Sequence, residues 1–450
     1  MTSVRDAYSI RRSRLMVRMN GRPVVIASGK TPSRNFPANL RQIRSSSHFL
    51  YFVGRQMDEA FLVLMGGVSQ LFITRPPEGD DLWHGPTPDL ATLSADTKCD
   101  VKYIDALEPS ALRHAATLPV MDTTTNRQLT ALLDRAEPIE PGTISTLDDE
   151  LVDAIVEIRL IHDEQAIRDL RRAADATVIA HHAARSMIAP GRNEHDVWAV
   201  MQAAFTERGM HAAYPPIITT HGEILHGRVK GNPLKAGDLL LIDVGAETEN
   251  GWAADVTRTW PVSGSFSTTQ RQIYDIVHAA HQAAIDCVRP GIRYRDVHLV
   301  AAQTIASGLV DIGILSGCPE ELVADDVHAL FFPHGVGHLL GLDVHDMEDL
   351  GDRAGYPTGQ ARSKRFGLCY LRLDRILEVG MAITIEPGFY LVPSLLNNPE
   401  KFAQSKGRIN FERLAHFTDV RGIRIEDDIL VRPDGCEILT KGIPTTVHQA

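Results

Sequence analysis

Residues 239–260 read LLLIDVGAETENGWAADVTRTW. Two aspartates, Asp243 and Asp255, stand in stretches otherwise apolar enough to be buried strands. A buried carboxylate without a partner costs on the order of several kcal/mol, so something must compensate. The turn between them decides whether they can share that compensation. A two-residue turn at Asn250 and Gly251 would pair Ala246 with Asp255, and period-two alternation would send the carboxylates to opposite faces. A three-residue loop, Glu249-Asn250-Gly251 with Gly251 left-handed, pairs Gly245 with Asp255 and puts both on one face. The sequence therefore predicts the odd loop, closed by a glycine bulge.

Two later strands repeat the oddity. Glu386 lies within AITIEPGFYL (382–391) and Glu426 within GIRIEDDILV (422–431). Between hairpin and strands, FFPHGVGHLLGLDVHD (331–346) concentrates His334, His338 and His345 among glycines. Taken singly, each has a bland explanation: a strand-end aspartate, a structural histidine, or a Glu426 paired with Arg424. Taken together, four carboxylates and one imidazole suffice for two divalent ions, with bridging carboxylates and a water between metals roughly 3.5–4 Å apart. An oxygen-rich donor set favours a hard ion, so Mn²⁺ is expected first, with Co²⁺ or Zn²⁺ as replacements.

The rest of the chain suits such a centre. Its 450 residues predict two domains, and 44% hydrophobic with 23% charged residues is ordinary for a soluble globular enzyme. A net charge of −11 argues against a nucleic-acid surface. No apolar run approaches the roughly 20 residues of a membrane span. The basic opening MTSVRDAYSIRRSRLMVRMNGR lacks the apolar core of a secretory signal and is expected to be an amphipathic helix. Five scattered cysteines without a CxxC pair fit a reducing cytoplasm.

The runs PVVIAS, HFLYFVG, AFLVLMGG, SQLFITR and VKYIDAL, with helical stretches near 108–118 and 124–136, predict a small α/β amino-terminal domain. AEPIEPGTIST (136–146) is the linker candidate. A helix over 163–188 follows, capped by Asp163, with Ile167, Leu170, Ala174 and Val178 as its apolar stripe. The second half alternates acidic strands with helices near 193–208, 268–289, 294–309 and 319–329. It predicts an α+β domain with a curved, mostly antiparallel sheet flanked by helices.

On these residues the sequence resembles the aminopeptidase P and prolidase family of dinuclear metallopeptidases, which have the pita-bread fold. The likeness is weak over 1–160, which look like the family's amino-terminal domain, and strong from about 161 to 440, within a catalytic domain expected over 161–450. It implies Asp243, Asp255, His338, Glu386 and Glu426 as metal ligands. The Asp-to-Asp spacing is one residue longer than usual, which the odd loop accommodates. It further implies His226 and His345 as substrate-side histidines stabilising the tetrahedral oxyanion, His334 lining the pocket, and Arg424 pairing with a ligand carboxylate. Glu386 would accept the attacking water's proton and deliver it to the leaving nitrogen. Trp83, in LWHG, looks like the aromatic that reaches a neighbouring subunit's site, so a homodimer or homotetramer is implied.

The resemblance names Xaa-Pro as the bond cut. YLRLDRILEVGM (370–381) is similar to a prolidase segment whose first arginine, here Arg372, clamps a dipeptide's free carboxylate. That favours an Xaa-Pro dipeptidase. An Xaa-Pro aminopeptidase acting on longer peptides is the alternative, and an inactive binding protein on the same fold is remote because every ligand position is filled. Methionine aminopeptidases share the ligands but usually lack the amino-terminal domain.

Overall fold

The computed structural model describes residues 4–446. The chain forms two compact units. One is the chain through Gln165 with Glu249–Gly251 and Asp349–Arg353; the other is Ala166–Thr248, Trp252–Glu348 and the chain from Ala354.

The first unit opens with the helix Val4–Arg18. It is built on a five-stranded mixed sheet in the order Asp100–Tyr103, Val68–Ile73, Phe61–Met65, Val24–Ala27, Ala116–Thr117. The central pairs are antiparallel and both edge pairs parallel. Alternate residues Val25, Ala27, Phe61 and Val63 bury one face with Leu129 of the helix Thr123–Leu132 and with Leu133. One expected strand is a helix. HFLYFVG forms Ser47–Val53, because Ser46 accepts the Phe49 N–H at its start and Gly54, left-handed at φ 72°, donates to the Leu50 carbonyl at its end. Residues 48–53 are all buried, so no polar side revealed the helical period. The stretch 108–118 is not a helix but a short 3₁₀ turn, Pro109–Leu112, leading into the strand Ala116–Thr117. Residues 136–145 run as a loop inside this unit and lead to the helix Asp149–Arg159.

The second unit begins at Ala166, within the first turn of the helix Glu164–Met187. Its buried ridge is Ala166, Leu170, Ala173, Ala174 and Ala180, while Ile167 and Val178 lie half-buried at the margin. Small residues let this helix approach the sheet closely; Thr177 donates from its hydroxyl to Ala173 and accepts the Ala246 N–H. Every strand pair here is antiparallel. One sheet orders Thr257–Pro261, Leu239–Asp243, Ile217–Thr219; another orders Ala382–Ile385, Asp427–Arg432, Gly435–Ile438. Gly388–Tyr390 pairs with Gly422–Arg424. The bond from Glu426 N–H to the Thr257 carbonyl (3.0 Å) joins two of these short sheets across a break, and Thr384 N–H to the His338 carbonyl (3.0 Å) ties the histidine-bearing loop to the strand Ala382–Ile385. The helices Thr268–Cys287 and Tyr294–Asp311 pack together.

Among the buried histidines of this unit, His181, His298 and His328 are held neutral. Burial lowers His181 and His328 to about 3 and His298 to about 4. The unfolded chain takes up these protons below about pH 6.5, whereas the folded chain does not, so the contribution of these histidines to stability falls as pH drops from 6.5 towards 4. Each histidine should steepen that loss by about 1.4 kcal/mol per pH unit. Urea midpoints of the wild type and His298→Gln at pH 7.5, 5.5 and 4.5 check this: the variant's midpoint should fall less, or rise more, as pH drops, and parallel pH profiles would contradict it.

Candidate metal centre

The hairpin has the odd register. Asp243 opposes Thr257, and the ladder continues through Val244 N–H to the Val256 carbonyl and Ala254 N–H to the Ala246 carbonyl. Thr248 bonds Trp252, leaving Glu249-Asn250-Gly251 as the three-residue loop, with Gly251 at φ 91°. A Cβ on Gly245 would collide with the Ala254 carbonyl oxygen, so the tight crossing beside Asp255 requires glycine there. Both aspartates then turn the same way: the Tyr214 hydroxyl lies 2.8 Å from Asp243 Oδ1 and 2.6 Å from Asp255 Oδ1. A hydroxyl has one proton, so it satisfies one carboxylate at a time.

The four acidic residues sit at strand ends rather than within strands. Asp243 ends its strand, Asp255 precedes Thr257–Pro261, Glu386 follows Ala382–Ile385, and Glu426 lies between Gly422–Arg424 and Asp427–Arg432. The breaks let side chains from separate ladders converge. Alternation sorts the EDD run. Glu426 accepts the Thr257 hydroxyl at 2.6 Å, and Asp428 accepts the Asp255 N–H at 3.1 Å. Asp427 pairs instead with the fully buried Arg258 at 2.8 Å. Charge sorts them as well. Burial and then Asp255 push Glu426 and Asp428 well above the carboxylate range. For Asp427, Arg258 and His281 outweigh burial and hold it at about 2.

Glu386 is pushed up to about 7 by burial, with Asp255 and Asp243 adding to the rise against His338 and Arg424. His338 Nδ1 lies 3.0 Å from the Leu339 carbonyl, which assigns its proton there and leaves the Nε2 lone pair facing Asp255 and Glu386, each at 3.4 Å. A neutral imidazole oriented in this way by a backbone carbonyl is suited to metal ligation. Ligand atoms of Asp255, His338 and Glu426 all lie within 4.8 Å of one another. Four carboxylates, Glu386 the least buried of them, face one guanidinium: Arg424 gives Nη2 to Asp243 (2.5 Å), Nε to the Thr257 hydroxyl and Nη1 to the Tyr390 hydroxyl. Arg424 therefore pairs with Asp243, not Glu426. The remaining negative charge and the lone pair of His338 fit divalent cations.

These groups line a cavity of about 480 Å³, which His226, His334, His345 and Arg372 also line. His334 joins Arg424 through Tyr390, whose hydroxyl is 2.9 Å from Nε2. The His345 ring lies edge-on to that of His338, 4.3 Å between centroids. Arg372 donates to Glu348 Oε2 at 2.5 Å. Trp83 belongs to the first unit, where it is 79% exposed on the short helix Asp80–His84.

Sequence reasoning missed several supports. Tyr214 and Tyr390 carry no motif of their own, and Asp428 was hidden in the EDD run. Glu194 was read only as the start of a helix. Its carboxylate is fully buried and accepts N–H groups from Thr220, Lys230 and Asn232 and the Asn232 side-chain amide at 2.9–3.1 Å. It thereby closes the loop 220–232 that presents His226.

Comparison with known proteins agrees with this geometry. The sequence pattern of metallopeptidase family M24 matches residues 168–433, and that of the aminopeptidase P N-terminal domain matches residues 8–117. The chain belongs to metallopeptidase family M24, and is a metallopeptidase with an amino-terminal domain of the aminopeptidase P type. Xaa-Pro aminopeptidase 2 of Streptomyces coelicolor is 30% identical over 454 residues, covering 98% of this chain and 89% of its own. The Xaa-Pro aminopeptidase of Escherichia coli is 37% identical over 292 residues, 64% of this chain and 57% of its own. Among solved structures, zinc-substituted E. coli aminopeptidase P in complex with product superposes with a TM-score of 0.79 at 28% identity, covering 99% of this chain and 97% of that one. These relatives bear out the pita-bread α+β class expected from the sequence.

Glu194→Gln is expected to destabilise the protein by about 1–3 kcal/mol, because one charge-assisted acceptor serves four donors. Hydrogen exchange should speed up over residues 220–232 before the rest of the second unit. Uniform exchange across that unit would contradict the loop-closing role.

Proposed function

We propose that the protein is an Xaa-Pro aminopeptidase that removes the residue preceding proline from peptides longer than a dipeptide. Asp243, Asp255, His338, Glu386 and Glu426 would hold two divalent cations, Mn²⁺ first. The observation that carries the reading is the convergence of four largely buried carboxylates and the His338 lone pair on one cavity. The sequence favoured the dipeptidase because of Arg372. The relatives reported above are named Xaa-Pro aminopeptidases, which supports the longer substrate.

When bound, the cations would acidify water and polarise the scissile carbonyl. Glu386 takes the proton of the attacking water and returns it to the proline nitrogen, which has no hydrogen in the peptide and must gain one to leave as an amine. His345 and His226, at the cavity wall, donate hydrogen bonds to the oxyanion as it develops. His345 suits a donor rather than an acid, since burial and then His338 lower it to about 2. Arg424 holds Asp243 in its ligating direction, and Tyr390 passes that constraint to His334.

Among the described residues no helix is long and apolar enough to cross a membrane. All five cysteines are free, which suits the cytoplasm we assign. A homodimer or homotetramer is the assembly we infer, with exposed Trp83 offered to a neighbouring copy's site.

The testing experiment is hydrolysis of Xaa-Pro-Xaa peptides by protein purified without chelator and supplied with Mn²⁺. Release of the first residue is expected. Chelation should abolish it and Mn²⁺ should restore it; activity indifferent to exhaustive chelation would overturn the reading. Arg424→Met, which frees Asp243, should cost about 10–100-fold in metal affinity or turnover. Elemental analysis beside kinetics checks this, and wild-type values in both would remove the assigned role.

A further inference from the structure

The cavity carries a charge arrangement that bears on substrate length. Arg372 lines it, and a free guanidinium there would receive a substrate carboxylate. It is not free. Nη1 donates to Glu348 Oε2 at 2.5 Å, a single bond rather than a two-pronged fork. The other Glu348 oxygen, Oε1, is buried and meets no donor among the described residues. Met347, left-handed at φ 61°, makes the turn just before Glu348. Arg372 is thus already neutralised by a carboxylate of this chain, which keeps an unsatisfied oxygen beside it.

We propose that Glu348 is a specificity-determining residue that excludes Xaa-Pro dipeptides by occupying Arg372. The inference rests on the Xaa-Pro reading above and deepens it. A dipeptide ends in a carboxylate directly after proline, and placing it at Arg372 sets two like charges on one guanidinium. A longer peptide offers a neutral carbonyl at the same point. That carbonyl accepts from the N–H groups of Arg372 not engaged by Glu348, and meets no repulsion. Glu348 Oε2 also lies 3.6 Å from His345 Nδ1; its effect on substrate charge acts through Arg372, and the acid-to-amide ratio separates that effect from any on His345, which both substrates share.

The test compares Ala-Pro, Ala-Pro-amide and Ala-Pro-Ala on the wild type, Glu348→Gln, Arg372→Met and the double variant, all loaded with Mn²⁺. The first substitution keeps the side-chain shape and a carbonyl acceptor but removes the charge. The wild type should cut the amide and tripeptide in preference to the acid. Glu348→Gln should raise kcat/KM for the acid, relative to the amide, on the order of tenfold. The double variant should cancel that gain, because the guanidinium that would take the carboxylate is gone. An unchanged acid-to-amide ratio in Glu348→Gln overturns the proposal, as does a gain that survives in the double variant. If Glu348→Gln fails to fold, the wild-type acid-to-amide ratio between 0.05 and 0.5 M salt, roughly a threefold change in Debye length, replaces it. The ratio should rise as repulsion is screened, and a constant ratio overturns the proposal. A wild type that cuts none of the three substrates instead overturns the Xaa-Pro reading itself.

Discussion

Four carboxylates are forced into one buried space, and much of the second unit is organised to make that tolerable. Asp243, Asp255, Glu386 and Glu426 are each buried or nearly so; burial raises the proton affinity of Asp243, Glu386 and Glu426, and Asp255 raises all three further. One guanidinium, the His338 imidazole, one tyrosine hydroxyl and one threonine hydroxyl are the main protein groups set against them. Such a cluster is expensive without cations and strongly attractive to them. Binding free energy for metal is therefore partly stored as electrostatic strain among fixed side chains.

Holding these side chains still is a backbone problem. The acidic residues sit where ladders break, and the breaks are bridged by bonds from one short sheet to the next. The loop of His226 is secured by Glu194, and its beginning is packed backbone to backbone, Gly222 against Gly422, so tightly that neither position has room for a Cβ. Arg421, beside Gly422, pairs with Glu223. The strand that contributes Arg424 thus also anchors the loop of a substrate-side histidine. Positioning of the residues we propose as metal ligands and as oxyanion donors shares one scaffold.

Local rules succeeded where one face of a strand had to be right. Counting pleats across 239–260 was enough to demand an odd loop, because a slip of one residue reverses every side chain. The same rules failed for HFLYFVG, where aromatic residues imitate a strand and complete burial erases the helical period. They also placed the apolar stripe of the helix Glu164–Met187 too far to one side, since alanines rather than larger residues make its closest contacts.

What the sequence by itself determined is the register that brings the two aspartates together, and it offered the ligand set we propose, because both depend on residue type and on short-range alternation. Only the tertiary structure decided which partners these residues meet. Arg424 lies against Asp243, 181 residues away, while Glu426 takes a threonine hydroxyl and Arg372 is held by Glu348. A guanidinium in a sequence is only a capacity to bind a carboxylate. Which carboxylate it binds depends on distances that arise when distant segments pack, and no local pattern encodes them.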